Sequence, residues 1–186
     1  MKFIAIIPAR YASTRFPAKP LADMAGKTMI QRVYEQVKKA VDEVWVATDN
    51  SRIFDTVESF GGKAVMTSTE HRSGTDRIYE AYMKVGQGFD VIINVQGDEP
   101  FIQPAQIESL MACFGGPKVE LATLVKPFKK EDGFDVLFNA NSPKVVINKN
   151  NEAIYFSRSI IPYIRDVHHS EWLDKHTFYK PVDALK

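Results

Sequence analysis

One cysteine, Cys113, occurs in 186 residues, so neither an internal disulfide nor a C-x-x-C metal or redox site can form. That scarcity suits a reducing compartment, and the expected location is the cytoplasm. No stretch approaches the roughly 20 apolar residues of a membrane span. The opening apolar run is cut by Pro8 and Arg10 before it becomes the core of a signal peptide. Membrane insertion is therefore not expected. Excess charge is missing too: 24 Lys and Arg against 23 Asp and Glu leave a formal net charge of +1. Nothing draws the whole chain to nucleic acid or an acidic membrane, so any phosphate site must be local.

Several motifs are absent. No G-x-G-x-x-G follows the first apolar run, which removes the dinucleotide fingerprint. Gly26-Lys27-Thr28 resembles the end of a P-loop, but the required first glycine falls at Leu21. No serine sits in a G-x-S-x-G elbow, and His168 and His169 are adjacent rather than four apart as zinc ligands on a helix would be.

What is present is a chain that is 45% hydrophobic, long enough for one well-buried core and short for two, and it reads as a single domain over 1–186. Residues 3–7 form an unbroken apolar run, the mark of a strand buried on both faces. Met29, Ile30, Val33, Tyr34 and Val37 recur at helical spacing. A strand over 43–47 follows, then a helix capped by Asp49 or Asn50, with Asp49 read as a cap, carrying Ile53, Phe54, Val57 and Phe60 inward and ended by Gly61 and Gly62. The alternation continues with strand 63–66, helix 75–85, strand 91–95, helix 104–114 with Cys113 in its core face, and strand 121–125. Such order predicts an α/β fold with parallel strands and crossover helices. Beyond Phe128 the runs 145–147 and 153–156 flank a turn-rich 148–151, predicting a hairpin or edge strands, a small β extension. The tail 165–186 has no clear periodicity.

Directly after the first strand comes Pro8-Ala9-Arg10-Tyr11-Ala12-Ser13-Thr14-Arg15-Phe16-Pro17-Ala18-Lys19-Pro20-Leu21, and no carboxylate precedes Asp23. In an open α/β sheet, ligands bind beyond the carboxyl ends of the strands, where this loop must lie. Small-residue loops offer backbone amides to phosphate oxygens, Arg a planar fork, and Lys a mobile point charge. Arg10, Arg15 and Lys19 therefore suit a triphosphate. Strand 91–95 leads into Gln96-Gly97-Asp98-Glu99-Pro100. A hard cation such as Mg2+ takes one or two carboxylates plus phosphate oxygens, which makes Asp98 the candidate ligand and Gln96 a hydrogen-bonding group for substrate. Gly97 is read as the point where backbone passes close to a ligand. Ser73-Gly74-Thr75 opens a helix, whose free amides and hydroxyls can hold a base, ribose or phosphate, or merely cap it.

Together with Ser73-Gly74-Thr75-Asp76-Arg77, Asn94-Val95-Gln96-Gly97-Asp98-Glu99-Pro100 and Tyr155-Phe156-Ser157-Arg158, the 8–21 segment closely resembles the 3-deoxy-manno-octulosonate cytidylyltransferases, the CMP-Kdo synthetases, in order from Phe3 to about Lys180. The resemblance implies a three-layer αβα, Rossmann-like, mostly parallel sheet of the nucleotide-diphospho-sugar transferase type. It implies transfer of CMP from CTP to the acidic sugar Kdo with release of pyrophosphate, feeding lipopolysaccharide synthesis, with Mg2+ and a homodimer. Carried over by position, Arg10 and Lys19 neutralise the phosphates, with Ala9 and Arg15 assisting. Asp98 holds magnesium, Ser73, Gly74 and Thr75 lie along the cytidine, and Gln96 and Arg158 face Kdo. The family usually has Leu and Gly where this chain has Phe16 and Ala18. It also continues past the equivalent of Lys180, and Asp183 resembles its late metal-binding aspartate, so the chain reads as lacking the family's C-terminal part. Transfer to another acidic sugar, or CTP binding without turnover, are the alternatives.

Overall fold

The structure, a computed structural model, describes residues 1–12, 16–85, 87–116 and 119–182. Arg15 and Asp183, both singled out above, lie outside the described residues. The chain divides into two compact units, Met1–Val119 and Glu120–Asp183, within the span read from sequence as one nucleotidyltransferase domain.

In the first unit, strands β1 (Phe3–Ala9), β2 (Val44–Thr48), β3 (Ala64–Met66) and β4 (Val91–Asn94) form a parallel sheet in the order β3-β2-β1-β4. Strand β1 is apolar on both faces because both are covered. Ala5, Ile7 and Ala9 pack with Ile30, Val33 and Val37 of α1 (Met29–Lys38), Ile53 and Val57 of α2 (Ser51–Ser59) and Ile107 of α4 (Pro104–Cys113). Ile4 and Ile6 pack on the other face with Ile78 and Ala81 of α3 (Gly74–Val85). The period-2 alternation of a strand thus sorts one apolar run into two cores, giving helix, sheet and helix layers.

Local signals set the helix starts. Thr28 caps α1, accepting from the Gln31 amide at 3.3 Å, and Asn50 caps α2, accepting from the Arg52 amide at 3.0 Å. Asp49, expected as a cap, is instead engaged elsewhere. Cys113 is exposed, against its reading as core. At about 100° per residue it lies roughly 240° round α4 from the helix's buried Ile107.

The second unit holds an antiparallel sheet in the order β5-β8-β6-β7, made of β5 (Val125–Pro127), β6 (Lys144–Ile147), β7 (Ala153–Ser157) and β8 (Tyr179–Pro181). Strands β6 and β7 are the expected hairpin. The strand expected over 121–125 as part of the parallel alternation begins only at Val125 and pairs antiparallel with β8. Leu121 is 82% exposed, because a short apolar run specifies extended backbone but not its partner strand. Between the strands stand α5 (Phe134–Phe138) and α6 (Trp172–Lys175). Phe128, Leu137, Trp172 and Phe178 form this unit's core, so the tail without periodicity contributes its aromatics to a packed centre.

Candidate functional site

Strands β2 and β3 are added on one edge of β1, whereas β4 pairs with its other edge, so the strand order reverses between β1 and β4. Such a switch point opens a crevice at the carboxyl ends of the two strands. Two described points of the loop after β1 meet: the Ala18 amide donates to the Tyr11 carbonyl at 3.0 Å, and a 3-10 turn, Lys19–Leu21, follows with Pro20 buried. Ala18 itself sits at φ 57°, a left-handed conformation that costs a non-glycine residue about 1 kcal/mol. A glycine, which the resemblance implies at this position, would adopt that conformation without the cost.

The turn brings Lys19 to the loop after β4, where its Nζ donates to Asp98 Oδ2 at 2.6 Å. The two segments can lie this close because of Gly97. A Cβ there would come within 2.9 Å of the Pro8 carbonyl oxygen, so the missing side chain admits the neighbouring strand, not a ligand as expected from the sequence. Gly74 plays a related part: its Cβ would touch the Pro8 ring at 3.4 Å, which sets the start of α3 against the end of β1.

A pocket of about 200 Å3 results, and Ala9, Arg10, Ser73, Gly74 and Gln96 all line it. Five residues singled out from separate motifs therefore share one cavity, with the Lys19–Asp98 pair two residues along from Gln96. Thr75 lies on the exposed first turn of α3 and is not among the walls. Ser73 caps α3, its Oγ accepting from the Asp76 amide at 3.1 Å and donating to Asp76 Oδ2 at 2.7 Å. Gln96 Nε2 donates to Asn94 Oδ1 at 3.0 Å. Arg158 belongs to the second unit, where its guanidinium donates to the Ala140 carbonyl at 2.9 Å.

Sequence reasoning gave no individual role to three further walls of this pocket, His71, Arg72 and Arg77, and two of them are tied into the fold. Arg77 is buried, donating to Asp49 Oδ2 at 2.6 Å and to Thr67 Oγ1 at 2.5 Å. It ties the ends of β2 and β3 to α3, and this ion pair is what Asp49 does in place of capping. The second is His71, whose Nε2 bonds Glu80 Oε2. Glu80 also pairs with Lys84 at 2.7 Å and accepts from the Ser68 amide at 2.9 Å. Lys84, the Ser68 amide and His71 hold the Glu80 carboxyl down to about 2 from an ordinary 4.5. Because an ionised carboxylate only accepts, Nε2 of His71 must carry a proton, which fixes the ring. A histidine nine residues before a glutamate is one face-to-face pair among many in a sequence, and no local pattern marks it.

The depressed Glu80 value makes a pH-dependent prediction. Its contribution to stability is fully present above about pH 4.5 and is lost as pH falls toward about 2. Glu80→Gln should cost about 1 kcal/mol near neutral pH after discounting for partial exposure, and the wild type and variant should converge as the pH approaches 2. Urea unfolding at a series of pH values checks this; a difference independent of pH would break the assignment.

The pocket carries three guanidinium groups, Arg10, Arg72 and Arg77, and no carboxylate in its described walls. Beside it stands one half-exposed carboxylate, Asp98, paired with a lysine. Cationic walls at a switch point, with the Asp98 carboxylate beside them, provide charge and position for a polyphosphate and do not depend on a protein nucleophile. The fold and this site define a nucleotidyltransferase. The cytidylyltransferase family profile matches residues 4–181, and the chain belongs to that family. The 3-deoxy-manno-octulosonate cytidylyltransferase of Parabacteroides distasonis is 67% identical over 98% of this chain and 73% of its own length. That of Cytophaga hutchinsonii is 57% identical, over 98% of this chain and 72% of its own. A solved CMP:2-keto-3-deoxy-manno-octonic acid synthetase complexed with CTP superposes with a TM-score of 0.87 at 43% identity, covering 98% of this chain and 72% of the other.

Proposed function

We propose that this protein transfers CMP from CTP to the anomeric hydroxyl of Kdo, releasing pyrophosphate and activating the sugar for lipopolysaccharide synthesis. The observation that carries this reading is the convergence of Ala9, Arg10, Ser73, Gly74 and Gln96 on one pocket, in a chain that superposes over 98% of its length on a synthetase solved with CTP. In the reaction the sugar oxygen attacks the α-phosphorus, a new P–O bond forms, the α–β anhydride bond breaks, and pyrophosphate leaves with the electron pair. Arg10 and Lys19 neutralise the triphosphate and the departing pyrophosphate, and the Ala9 backbone contributes to its seat. Ser73 and Gly74 lie along the cytidine at the head of α3, and Thr75, next to them but outside the pocket wall, is the outermost of the three. Gln96 faces the sugar, and Arg158 offers a guanidinium fork to its carboxylate. Holding donor and acceptor in line, together with stabilising the charge on the phosphates, accounts for most of the acceleration in chemistry of this kind.

Magnesium belongs to the reading. Among the described residues no group of three or more His, Cys, Asp or Glu is placed to hold a metal, so a cation here takes most of its ligands from phosphate and water. Asp98, half-exposed in the loop after β4, fits that need, since Mg2+ commonly binds through one or two carboxylates plus substrate phosphates. When bound, the ion withdraws charge from the phosphate oxygens. Homodimerisation and a cytoplasmic location complete the proposal. Among the described residues no helix is long and apolar enough to cross a membrane.

The test is pyrophosphate release from CTP with magnesium, in the presence of Kdo, of a second acidic sugar such as sialic acid, or of neither. Release with Kdo alone is the expected result. Release with the second sugar in preference to Kdo would move the substrate assignment, and CTP binding with no release under any condition would overturn the transferase reading for this chain.

A further inference from the structure

Lys144 on β6 is fully buried, and burial lowers its pKa. An ammonium out of water is costly unless each donor is met. Among the described residues its partners are two backbone carbonyls, that of Asn139 at 2.9 Å and that of Arg158 at 3.4 Å. A methionine of similar length would fill the same space without that cost, so the charge is there for what it holds. The Arg158 guanidinium in turn donates to the Ala140 carbonyl at 2.9 Å. Lys144 and Arg158 therefore grip adjacent carbonyls of one turn, while Lys144 also holds the backbone from which Arg158 projects. The hairpin fixes the spacing, since Lys144 lies opposite Ser157 in the β6–β7 register.

We infer that Lys144 is a positioning residue for Arg158, its ammonium fixing both the 139–140 turn and the Arg158 backbone, so that the guanidinium is presented in one orientation to the carboxylate of an acidic sugar. This rests on the assignment of Arg158 to the sugar made above. A guanidinium fork rewards orientation: two parallel hydrogen bonds to a carboxylate form only when the plane is right. Loosening its support weakens sugar binding and leaves the nucleotide untouched. A purely structural lysine would do otherwise, affecting both ligands or neither.

The experiment measures dissociation constants for Kdo and for CTP by calorimetry, without requiring turnover, in the whole chain and in Lys144→Met, Arg158→Ala and the double variant. Lys144→Met is expected to weaken Kdo about tenfold, by the usual sensitivity of a bound group to small misplacement, with CTP affinity unchanged. The double variant should bind Kdo no more weakly than Arg158→Ala alone, because both act through one guanidinium. If Lys144→Met does not fold, Lys144→Arg, which keeps the cation but changes its reach, should show the same selective loss to a smaller degree. Equal loss of Kdo and CTP affinity, or an unchanged Kdo constant in the lysine variant while Arg158→Ala weakens it, overturns the inference. An unchanged Kdo constant in Arg158→Ala would instead remove the premise that Arg158 meets the sugar, and the inference with it.

Discussion

Asp98→Ala should lower pyrophosphate release by roughly a thousandfold, the scale on which loss of one electrostatic group at a phosphoryl centre is felt, while leaving the fold nearly unchanged. The two halves of that expectation come from different observations. Asp98 and Lys19 have side chains 51% and 38% exposed, and an ion pair that open to solvent is worth about 0–1 kcal/mol. Neither residue is part of the apolar core, so unfolding in urea should shift by no more than that. A large catalytic loss is expected because the proposed function makes Asp98 the carboxylate through which a magnesium-bound triphosphate would be held. The same substitution frees Lys19 from its 2.6 Å partner, and a lysine released toward the phosphates should keep CTP binding close to wild type even as turnover falls. Turnover at saturating CTP and Kdo, read beside CTP affinity and the urea midpoint, separates these effects. Wild-type turnover in the variant would end the assignment of Asp98; a large fall in stability would mean that the exposed pair does more for the fold than its surroundings permit.

Much of this architecture could be read in advance, and the reason is periodicity. The β1 run, the spacing of Ile30, Val33 and Val37, and the Asn50 cap are local patterns, and local patterns survive in a sequence. The loop after β1 stands out for a similar reason, as a cluster of cations with no carboxylate directly after a buried strand, and the structure sets its Arg10 in the pocket wall and its Lys19 against Asp98. What the sequence hides is pairing across distance. Nothing near Asp49 announces that it faces Arg77, 28 residues on, and a residue well suited to capping gave a plausible local role that the ion pair overrides. Gly97 was legible as a glycine required by close approach, but the approaching group is the Pro8 carbonyl of the adjacent strand, and strand adjacency is a property of the sheet order. Cys113 illustrates the limit of residue type: cysteine is commonly buried, but its angular position on α4 leaves it exposed. Leu121 fails in the same way, since an apolar pentapeptide reads as a strand wherever it occurs.

The Asp49–Arg77 pair supplies the second large effect, on stability. Their side chains are only 13% and 4% exposed, so cutting the pair from one side strands a charge in a poorly solvated place. Arg77→Met should cost about 3–5 kcal/mol, the usual penalty for breaking a buried ion pair, equivalent to a fall in melting temperature on the order of 10 °C for a chain of this size. The sequence of losses is specific. Asp49 is left with an unpaired carboxylate, and Thr67 Oγ1 loses the donor at 2.5 Å while still donating to the Thr48 carbonyl at 3.0 Å. Removing the carboxylate as well relieves the larger of these, so the double variant Asp49→Ala, Arg77→Met should recover a substantial part of the stability lost by the single one. CTP affinity should not recover with it, because Arg77 is itself a wall of the pocket and the strand ends it ties to α3 stay untied in both variants. Thermal unfolding and CTP titration of the single and double variants measure the two separately. A double variant no more stable than Arg77→Met would show that the cost lies in lost packing of the arginine stem, not in the stranded charge; recovery of CTP affinity alongside stability would remove Arg77 from the nucleotide pocket and leave it as a strut of the fold alone.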